Sequence, residues 1–329
     1  MATPRMYPLT FQPIFKERVW GGRRLEKLYG KMLPPKVPVG ESWEISDRPG
    51  DASVIANGPL AGKDLHWLVE TRPDELLGAT RLERGRFPLL IKILDASEKL
   101  SLQVHPPATA AAELDGEPKT EMWYIAEAAP GAELYVGLRA GCTRDEFAAK
   151  IEQGTVADCF HRVKVKAGDA MFLPSGRVHA IGAGLVIFEI QQNSDTTYRV
   201  FDWNRVGLDG KPRELHAQQS LASIDFDDFE PPLVQPRALT GPVKLQLLAS
   251  DKLFSVTLAE LKAGEHLPLN RGTLHIIGTI RGRIEVESTT EPITLSAGQF
   301  CLIPAAVEGA ALRARSAASC LCVRPGKVD

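Results

Sequence analysis

The sequence predicts a mainly β protein, a β-sandwich or jelly-roll barrel interrupted by helical insertions. Short strand-like runs recur along the chain, and turn-forming Gly, Pro, Asn and Asp separate them at close intervals. Few segments show the 3.6-residue apolar period of an amphipathic helix. Sheets that pack face to face, or that close on themselves, are the architecture expected from this pattern.

The N-terminal part of the chain mixes turns, short strands and short helices. The segment VWGGRRLEKLYG predicts a turn and a short helix with Leu25 and Leu28 on one face. The segment VGESWEISDRPGDASVIANG predicts two short strands around an Arg-Pro-Gly-Asp turn. Residues 60–82 follow a helical spacing of apolar side chains.

Strands dominate from Phe87 onward. FPLLIKILDA is a continuous apolar run, which is typical of a strand buried on both faces, whereas LSLQVHP alternates. The clearest helix follows later in the chain, where Thr143 and Glu146 form a capping box and Gly154 provides the C-terminal stop. The acidic, proline-rich residues 221–239 are interpreted as a linker or crossing segment, and short strands follow to the C-terminus.

Two segments near the middle and the end of the chain resemble each other. KAGDAMFLPSGRVH and SAGQFCLIPAAVEG both place a Pro six positions after a Gly, and only the first ends in histidine. The matching positions are Gly168 and Gly298, Pro174 and Pro304, Gly176 and Ala306, and His179 and Gly309. The repeat predicts two barrels of one fold, of which the second lacks the histidine.

Bulk properties exclude several classes of protein. The net charge of -2 gives no global bias toward nucleic acid or anionic membranes. No apolar run reaches the roughly 18 residues that a membrane-spanning helix needs. The first residues lack the apolar core of a secretory signal, and the five cysteines show no paired spacing. We therefore expect a cytoplasmic protein with reduced thiols and with neither nucleic acid nor membrane as a partner.

Four side chains are candidate ligands of one divalent metal: Gln103, His105, Glu121 and His179. The first two are two residues apart, so that a strand would direct both to the same face. Two imidazoles, a carboxylate and an amide oxygen suit Zn, Mn, Fe or Co and are poor ligands for soft copper. The lack of cysteine ligands favours an open, catalytic site over a closed, structural one.

These residues lie in motifs that resemble the type I mannose-6-phosphate isomerases, a family of the cupin superfamily, and in particular its shorter bacterial branch. The motifs are SLQVHP, K-x-E-x-W, GDAMFLPSGRVHAIG, SDTTYRVFDWNR, VWGG and GESWEIS. The similarity begins near residue 8, extends to the C-terminus and is strongest over residues 87–205. A standard cupin has H-x-H-x(3,4)-E, whereas here Gln103 replaces the first histidine and Glu121 lies 16 residues after His105. This departure is itself typical of the isomerase family.

The resemblance implies two cupin-type jelly-roll β-barrels with short helical insertions. Residues 1–235 would form the catalytic cupin domain, with N-terminal strands and helical insertions, and residues 236–329 a second, metal-free cupin-like β domain. It also implies an isomerase that interconverts mannose 6-phosphate and fructose 6-phosphate through a cis-enediol. One Zn²⁺ per chain is the implied cofactor, with Mn²⁺, Fe²⁺ and Co²⁺ left open. The expected partner is a sugar phosphate, and the protein would be a monomer or a homodimer.

Carried over position by position, the resemblance assigns the metal ligands to the four residues above. It assigns the active-site arginine to Arg199 and the lining of the substrate site to Ser101, Lys119 and Glu189. Both Glu189 and Lys119 are candidates for the general base that isomerisation needs, and the sequence does not choose between them. Arg199 would stabilise the enediolate or bind phosphate, and Arg205 and Lys119 are further phosphate candidates. The alternative is a non-catalytic or differently specific cupin that binds sugars or sugar phosphates.

Overall fold

A computed structural model describes residues 4–326 of the 329-residue chain. Helices are few and short, as predicted. The described residues contain a 3-10 helix at Val156–Cys159 and five α-helices: α1 (Arg24–Tyr29), α2 (Leu65–Thr71), α3 (Pro73–Leu77), α4 (Arg144–Gln153) and α5 (Ala217–Ser223).

Strands make up most of the ordered structure. The first part of the chain forms β1 (Ile14–Gly22), β2 (Val39–Ile45), β3 (Asp47–Arg48), β4 (Asp51–Ala52), β5 (Leu89–Ala96), β6 (Leu102–Val104), β7 (Glu121–Ala128), β8 (Glu133–Leu138), β9 (Phe160–Lys164), β10 (Ala170–Leu173), β11 (His179–Ile181), β12 (Leu185–Gln192) and β13 (Tyr198–Phe201). The second part forms β14 (Arg237–Leu239), β15 (Lys244–Ser250), β16 (Phe254–Leu261), β17 (His266–Pro268), β18 (His275–Arg281), β19 (Arg283–Glu287), β20 (Ile293–Ser296), β21 (Phe300–Ile303), β22 (Ala311–Ala314) and β23 (Ala318–Pro325).

All these strands except β3 and β4, which pair with each other, form two pairs of antiparallel sheets. We call the pairs the first unit (through β13) and the second unit (from β14). The first unit has a six-stranded sheet in the order β1-β2-β5-β12-β7-β10 and a five-stranded sheet in the order β13-β6-β11-β8-β9. The second unit has the orders β14-β15-β16-β23-β18-β21 and β17-β22-β19-β20. The prediction of a mainly β fold is confirmed.

The six-stranded sheets of the two units correspond strand for strand, whereas the smaller sheets have five strands in the first unit and four in the second. In the first unit β12 lies between β5 and β7, and in the second β23 lies between β16 and β18. The repeated Gly-x5-Pro segments form the edge strands β10 and β21, where Leu173 pairs with Glu121 and Ile303 pairs with His275. This correspondence supports the internal repeat that the sequence indicates.

The boundary between residues 235 and 236 falls just before β14 and stays a prediction. The start of the chain contacts the second unit across this boundary. The backbone of Leu9 exchanges two hydrogen bonds of 2.8 Å with that of Leu302, so the start of the chain is joined to an edge strand of the second unit.

A shared apolar core joins the two units. Phe172 of β10 contacts Phe254 of β16 with ring centroids 6.2 Å apart, and Phe188 of β12 contacts Phe300 of β21 at 5.4 Å. The second unit therefore covers the outer face of the first six-stranded sheet. This explains why β5 and β12 are buried along their whole length, as the apolar run FPLLIKILDA predicts for β5.

The structure confirms the helix at α4 and corrects its cap. The Thr143 hydroxyl accepts a hydrogen bond from the Glu146 backbone N–H at 3.1 Å, which is the expected N-cap. The reciprocal bond of a capping box is missing, because the Glu146 carboxylate instead accepts a hydrogen bond from Arg139 at 3.0 Å. Gly154 ends the helix in the left-handed conformation.

Two other local predictions need correction. Leu25 is buried but Leu28 is 42% exposed, because the six-residue helix α1 turns only one of them to the core. Residues 221–239 are more than a linker: they include the end of α5, a turn that packs on the first unit, and β14.

The cysteines are free thiols, as expected, and four of the five are buried. Among residues 4–326, no helix has both the length and the apolar character needed to cross a membrane.

We predict that Phe254→Ala destabilises the protein by about 3–5 kcal/mol, because the change opens a cavity in the shared core. Urea unfolding measures the effect. The matched control is Met32→Ala: Met32 is 91% exposed, and its truncation should change the free energy of unfolding by less than about 0.5 kcal/mol. Equal stabilities of the two variants would contradict a core shared between the units.

Candidate active site

A cleft of about 540 Å³ opens between the two sheets of the first unit. This volume lies within the range of pockets that bind small molecules. Six of the eight side chains that the sequence singles out line it: Ser101, Gln103, Lys119, Glu121, Glu189 and Arg199. The other two, His105 and His179, are buried behind Glu121 and contact it.

Strand register aligns polar side chains in the six-stranded sheet. Lys92 of β5 lies directly opposite Trp43 of β2 on one side and Glu189 of β12 on the other. Glu189 in turn lies opposite Trp123 of β7. Side chains at one level of a sheet share a face, and these four therefore form a row across the four central strands.

A second row crosses the five-stranded sheet. Gln103 of β6 lies opposite His179 of β11 and opposite Arg199 of β13. The two rows meet where the Trp123 and His179 rings touch edge to face, with centroids 5.3 Å apart. The candidate metal ligands lie at this meeting point.

Three buried donors converge there. His105 Nε2 is 3.1 Å from Glu121 Oε1, and His179 Nε2 is 3.9 Å from Glu121 Oε2. One ligand atom from each of the three lies within 4.8 Å of the other two. All three side chains are at most 2% exposed.

The surroundings of both histidines favour the neutral imidazole. Burial lowers the pKa of His105 well below its ordinary value, and the nearby Lys119 ammonium lowers it further. Burial also lowers the pKa of His179, against the opposing effect of Glu121. His179 Nδ1 donates a hydrogen bond of 2.9 Å to the Arg177 carbonyl, which leaves Nε2 unprotonated, as a metal ligand must be.

The donor set fits a divalent metal. His105 Nε2 and Glu121 Oε2 are buried without hydrogen-bond partners, an arrangement that is costly unless another group binds them. Ligands of one tetrahedral zinc lie about 3.3 Å apart, close to the separation of His105 and Glu121. Gln103 presents Nε2, 3.2 Å from His179 Nε2, so ligation by its oxygen requires a half-turn of the amide.

The turn before β11 is fixed by its backbone. Gly176 has φ +94°, and a Cβ there would lie 3.3 Å from the Ser223 carbonyl oxygen. Its N–H donates a hydrogen bond of 2.9 Å to the carbonyl of His105, and the Ser175 N–H donates one of 3.2 Å to the Thr120 hydroxyl. The turn that carries one ligand is thereby bonded to the segments that carry the other two.

Glu189 is a buried carboxylate with both oxygens engaged. Trp123 Nε1 donates a hydrogen bond of 2.8 Å to Oε1, and Lys92 Nζ lies 3.2 Å from Oε2. Burial raises the pKa of Glu189, and the charge of Glu121 raises it further, against the effects of Lys92 and Lys119. Lys92 keeps its charge: burial works against it, but Glu189 and Glu41 raise its pKa.

Glu41 is the second carboxylate that faces Lys92. It accepts hydrogen bonds of 2.7 Å from Arg18 and 2.6 Å from Trp43. Burial alone would raise the pKa of Glu41, but Lys92, Arg18 and the Trp43 hydrogen bond together lower it to about 2. One side of the cleft is therefore a network of alternating charges held in place by indole N–H groups.

Lys119 lies between this network and the metal ligands. Its Nζ is 3.7 Å from Glu121 Oε1 and donates a hydrogen bond of 3.2 Å to the Thr197 hydroxyl. Burial lowers the pKa of Lys119, and the charge of Lys92 adds to this effect, although Glu121 opposes it. An amine with a lowered pKa can accept a proton near neutral pH.

Arginines line the other side of the cleft. Arg199 donates a hydrogen bond of 2.6 Å to the Glu214 carbonyl. Burial lowers the pKa of Arg199, and the nearby Arg213 lowers it further. Arg213 lines the cleft and pairs with Asp202 through two bonds. Arg205, a phosphate candidate from the sequence, is absent from the lining and bonds to Asp202 instead.

Sequence reasoning missed Lys92, Glu41, Arg18 and Arg213. Lys92 did leave a signal, since it is the only charged residue within the apolar run FPLLIKIL. A buried lysine needs a partner, and its cross-strand partner Glu189 was already a candidate. Glu41 lies within the GESWEIS motif, whereas Arg18 and Arg213 have ordinary sequence surroundings.

Comparisons with known proteins agree with this geometry. A family model described as phosphomannose isomerase type I, catalytic domain, matches residues 9–138. The mannose-6-phosphate isomerase ManA of Bacillus subtilis is 45% identical over 220 residues, which cover 66% of this chain and 68% of the relative. The mannose-6-phosphate isomerase of Streptococcus mutans is 35% identical over 299 residues, with coverage of 90% and 92%. The chain belongs to the type I phosphomannose isomerase family.

The phosphomannose isomerase similarity includes both units. A crystal structure of the mannose 6-phosphate isomerase from Bacillus subtilis superposes with a TM-score of 0.88 at 30% identity. The match covers 97% of this chain and all of that one. The second unit is therefore part of the family fold, even though the family model matches only the first.

We predict that Glu41→Gln destabilises the protein in a pH-dependent way. Glu41 has a folded-state pKa of about 2 against an ordinary 4.5, so its charge stabilises the fold above pH 4.5. This shift corresponds to about 3 kcal/mol at neutral pH. The stability difference between wild type and variant should shrink as the pH falls from 4.5 toward 2.

Urea unfolding at pH 7, 5, 4 and 3 measures this difference. Glu260→Gln serves as the control, because it removes an exposed pair with Lys244 and should have a small effect at every pH. A Glu41→Gln difference that does not change with pH would contradict the assignment.

Proposed function

We propose that the protein catalyses the interconversion of mannose 6-phosphate and fructose 6-phosphate. The observation that carries the proposal is the convergence of a buried His-Glu-His cluster with Lys119 and Glu189 in one cleft. Membership of the phosphomannose isomerase family supports the substrate. Aldose–ketose isomerisation moves one proton between C1 and C2 and another between the two oxygens, so it needs a base and groups that stabilise a cis-enediol.

We assign the metal site to His105, Glu121 and His179, with the amide oxygen of Gln103 as a fourth ligand. Nitrogen and oxygen donors without thiolate are typical of catalytic zinc, and zinc is the cofactor we propose. A bound zinc would polarise sugar oxygens as a Lewis acid or orient the sugar. Ser101, whose hydroxyl lies 3.4 Å from the Gln103 amide oxygen, would contact the sugar next to this site.

Lys119 is the proton-transfer group that the contacts favour. Both oxygens of Glu189 are already engaged, by Trp123 and by Lys92, whereas Lys119 makes a single hydrogen bond, to Thr197. Burial lowers the pKa of Lys119, which favours the neutral form that a base requires. Glu189 would then fix the position of Lys92 and neutralise its charge within the cleft.

Arg199 and Arg213 are suited to the anionic parts of the substrate. They lie close enough for Arg213 to lower the pKa of Arg199, so an incoming dianion would relieve their repulsion. Guanidinium groups are good phosphate ligands, and the Arg213 atoms that bond to Asp202, Nε and Nη2, leave Nη1 for such a contact. We assign Arg199 to the developing enediolate charge and Arg213, at the outer side of the cleft, to the phosphate.

Glu121→Ala should lose both metal and isomerase activity, because it removes the carboxylate that bridges the two histidines. Metal content by elemental analysis and a coupled assay of mannose 6-phosphate isomerisation measure the two effects. The control is Glu127→Ala, an exposed glutamate on the same strand. Full metal content in Glu121→Ala would remove this residue from the ligand set. Wild-type protein that holds metal but lacks isomerase activity would instead favour a sugar-phosphate-binding role.

Lys119→Met should lower kcat by about 10²–10⁴-fold with metal content unchanged, which is the usual contribution of a general base. Glu189→Gln should lose less, because the amide can still accept the hydrogen bond from Trp123. Lys164→Met, on an exposed position of β9, is the control. A larger loss in Glu189→Gln than in Lys119→Met would assign the proton transfer to Glu189.

A further inference from the structure

Asp228 lies outside the cleft, in the acidic segment that follows α5. We propose that Asp228 acts through Arg177 to position His179 as a metal ligand, so that residues 225–228 are part of the metal-binding apparatus. The proposal rests on the proposed function of the site, since it gives His179 the role of ligand. It makes Arg177 and Asp228 positioning residues, which touch neither metal nor sugar.

Three hydrogen bonds fix the Arg177 side chain, two to a carboxylate and one to a backbone carbonyl. Its Nε and one terminal nitrogen each donate a bond of 2.7 Å to the two Asp228 oxygens. The other terminal nitrogen donates a bond of 2.7 Å to the carbonyl of Phe172 in β10. Both charged side chains are only about 15% exposed, so this two-pronged pair is stronger than an ordinary surface pair.

The backbone of Arg177 acts directly on the ligand. Its carbonyl oxygen accepts the 2.9 Å hydrogen bond from His179 Nδ1, and its N–H donates one of 3.1 Å to the Pro174 carbonyl. A partner on Nδ1 selects the tautomer and the ring orientation in which Nε2 can bind a metal. Holding the Arg177 side chain at three points therefore restrains the carbonyl that orients the imidazole.

The acidic segment and the turn are also joined through their backbones. The Asp225 N–H donates a hydrogen bond of 2.9 Å to the Gly176 carbonyl, and the Leu138 N–H donates one of 2.9 Å to the Asp228 carbonyl. The turn itself is bonded to β8, where the Gly137 N–H donates to the Val178 carbonyl at 2.8 Å. Backbone hydrogen bonds thus fix the segment that carries Asp228 to the first unit, so the position of Asp228 relative to Arg177 is well defined.

Asp228→Asn tests the proposal, because it keeps the size of the side chain and removes the charge that holds Arg177. We expect zinc affinity, measured by competition with a chromophoric chelator, to fall by about 10-fold or more, as is typical when an outer partner of a metal ligand is changed. The absorption spectrum of the Co²⁺-substituted protein, which reports ligand geometry, should change as well. Arg177→Gln and the double variant should each lose about as much as Asp228→Asn, since the pair acts as one unit.

The matched control is Glu285→Gln, which breaks another two-pronged carboxylate–arginine pair, formed with Arg315 at an exposed site of the second unit. It should leave zinc affinity and the Co²⁺ spectrum unchanged. If Asp228→Asn fails to fold, Arg177→Lys replaces it, because lysine keeps the charge but cannot make the two-pronged contact. It should then show the same loss of affinity in a folded protein.

Unchanged zinc affinity and an unchanged Co²⁺ spectrum in the folded variant would overturn the proposal. This outcome differs from failure of the proposed function. If the proposed function fails, the wild-type protein binds no zinc, or binds zinc without isomerase activity. If only the positioning role fails, wild type and Asp228→Asn are equally metallated and equally active.

Discussion

The site depends on the register between β5 and β12, which sets Lys92 opposite Glu189 in the middle of a buried sheet. A one-residue shift of β12 would turn Glu189 into the apolar core, direct Phe188 into the cleft and leave Lys92 without its cross-strand partner. Because isolated buried charges are so costly, the ion pair itself opposes such a shift. The register between β12 and β7 brings Trp123 to Glu189. Through Trp123 the sheet contacts the His179 ring on the opposite sheet.

This burial of charge also sets the chemistry. In water Lys119 would be protonated, Glu189 ionised and the histidines half charged near pH 6.5. Burial shifts each of them toward its neutral form, while Lys92 and Glu41 remain charged because each faces more than one opposite charge. Groups that can exchange protons thus lie a few ångströms from groups that stay charged, which is the arrangement that acid–base catalysis requires.

Part of the metal site could be predicted from the sequence, because two of its residues are close together in the chain. Gln103 and His105 are two residues apart on one strand, so the alternation of side chains suffices to place them together. The partners of Lys92 and Arg177 could not be found in this way, since register between distant strands and the path of an acidic connection leave no periodic trace. Asp228 in particular lies 51 residues after Arg177 in a segment whose composition suggests only a linker.

The second unit has the same fold but lacks the metal ligands of the first. At the position of Glu121 it has His275, whose pKa is lowered to about 4 by burial and whose Nε2 lies 3.2 Å from the Asn270 carbonyl. Gly309 occupies the position of His179, so the histidine has no second imidazole to join. The unit contributes through its core, where Phe254 and Phe300 cover the back of β10 and β12. The second unit thus shields from water the other face of the sheet that carries the charged row of Lys92 and Glu189, and this structural role needs no metal ligands.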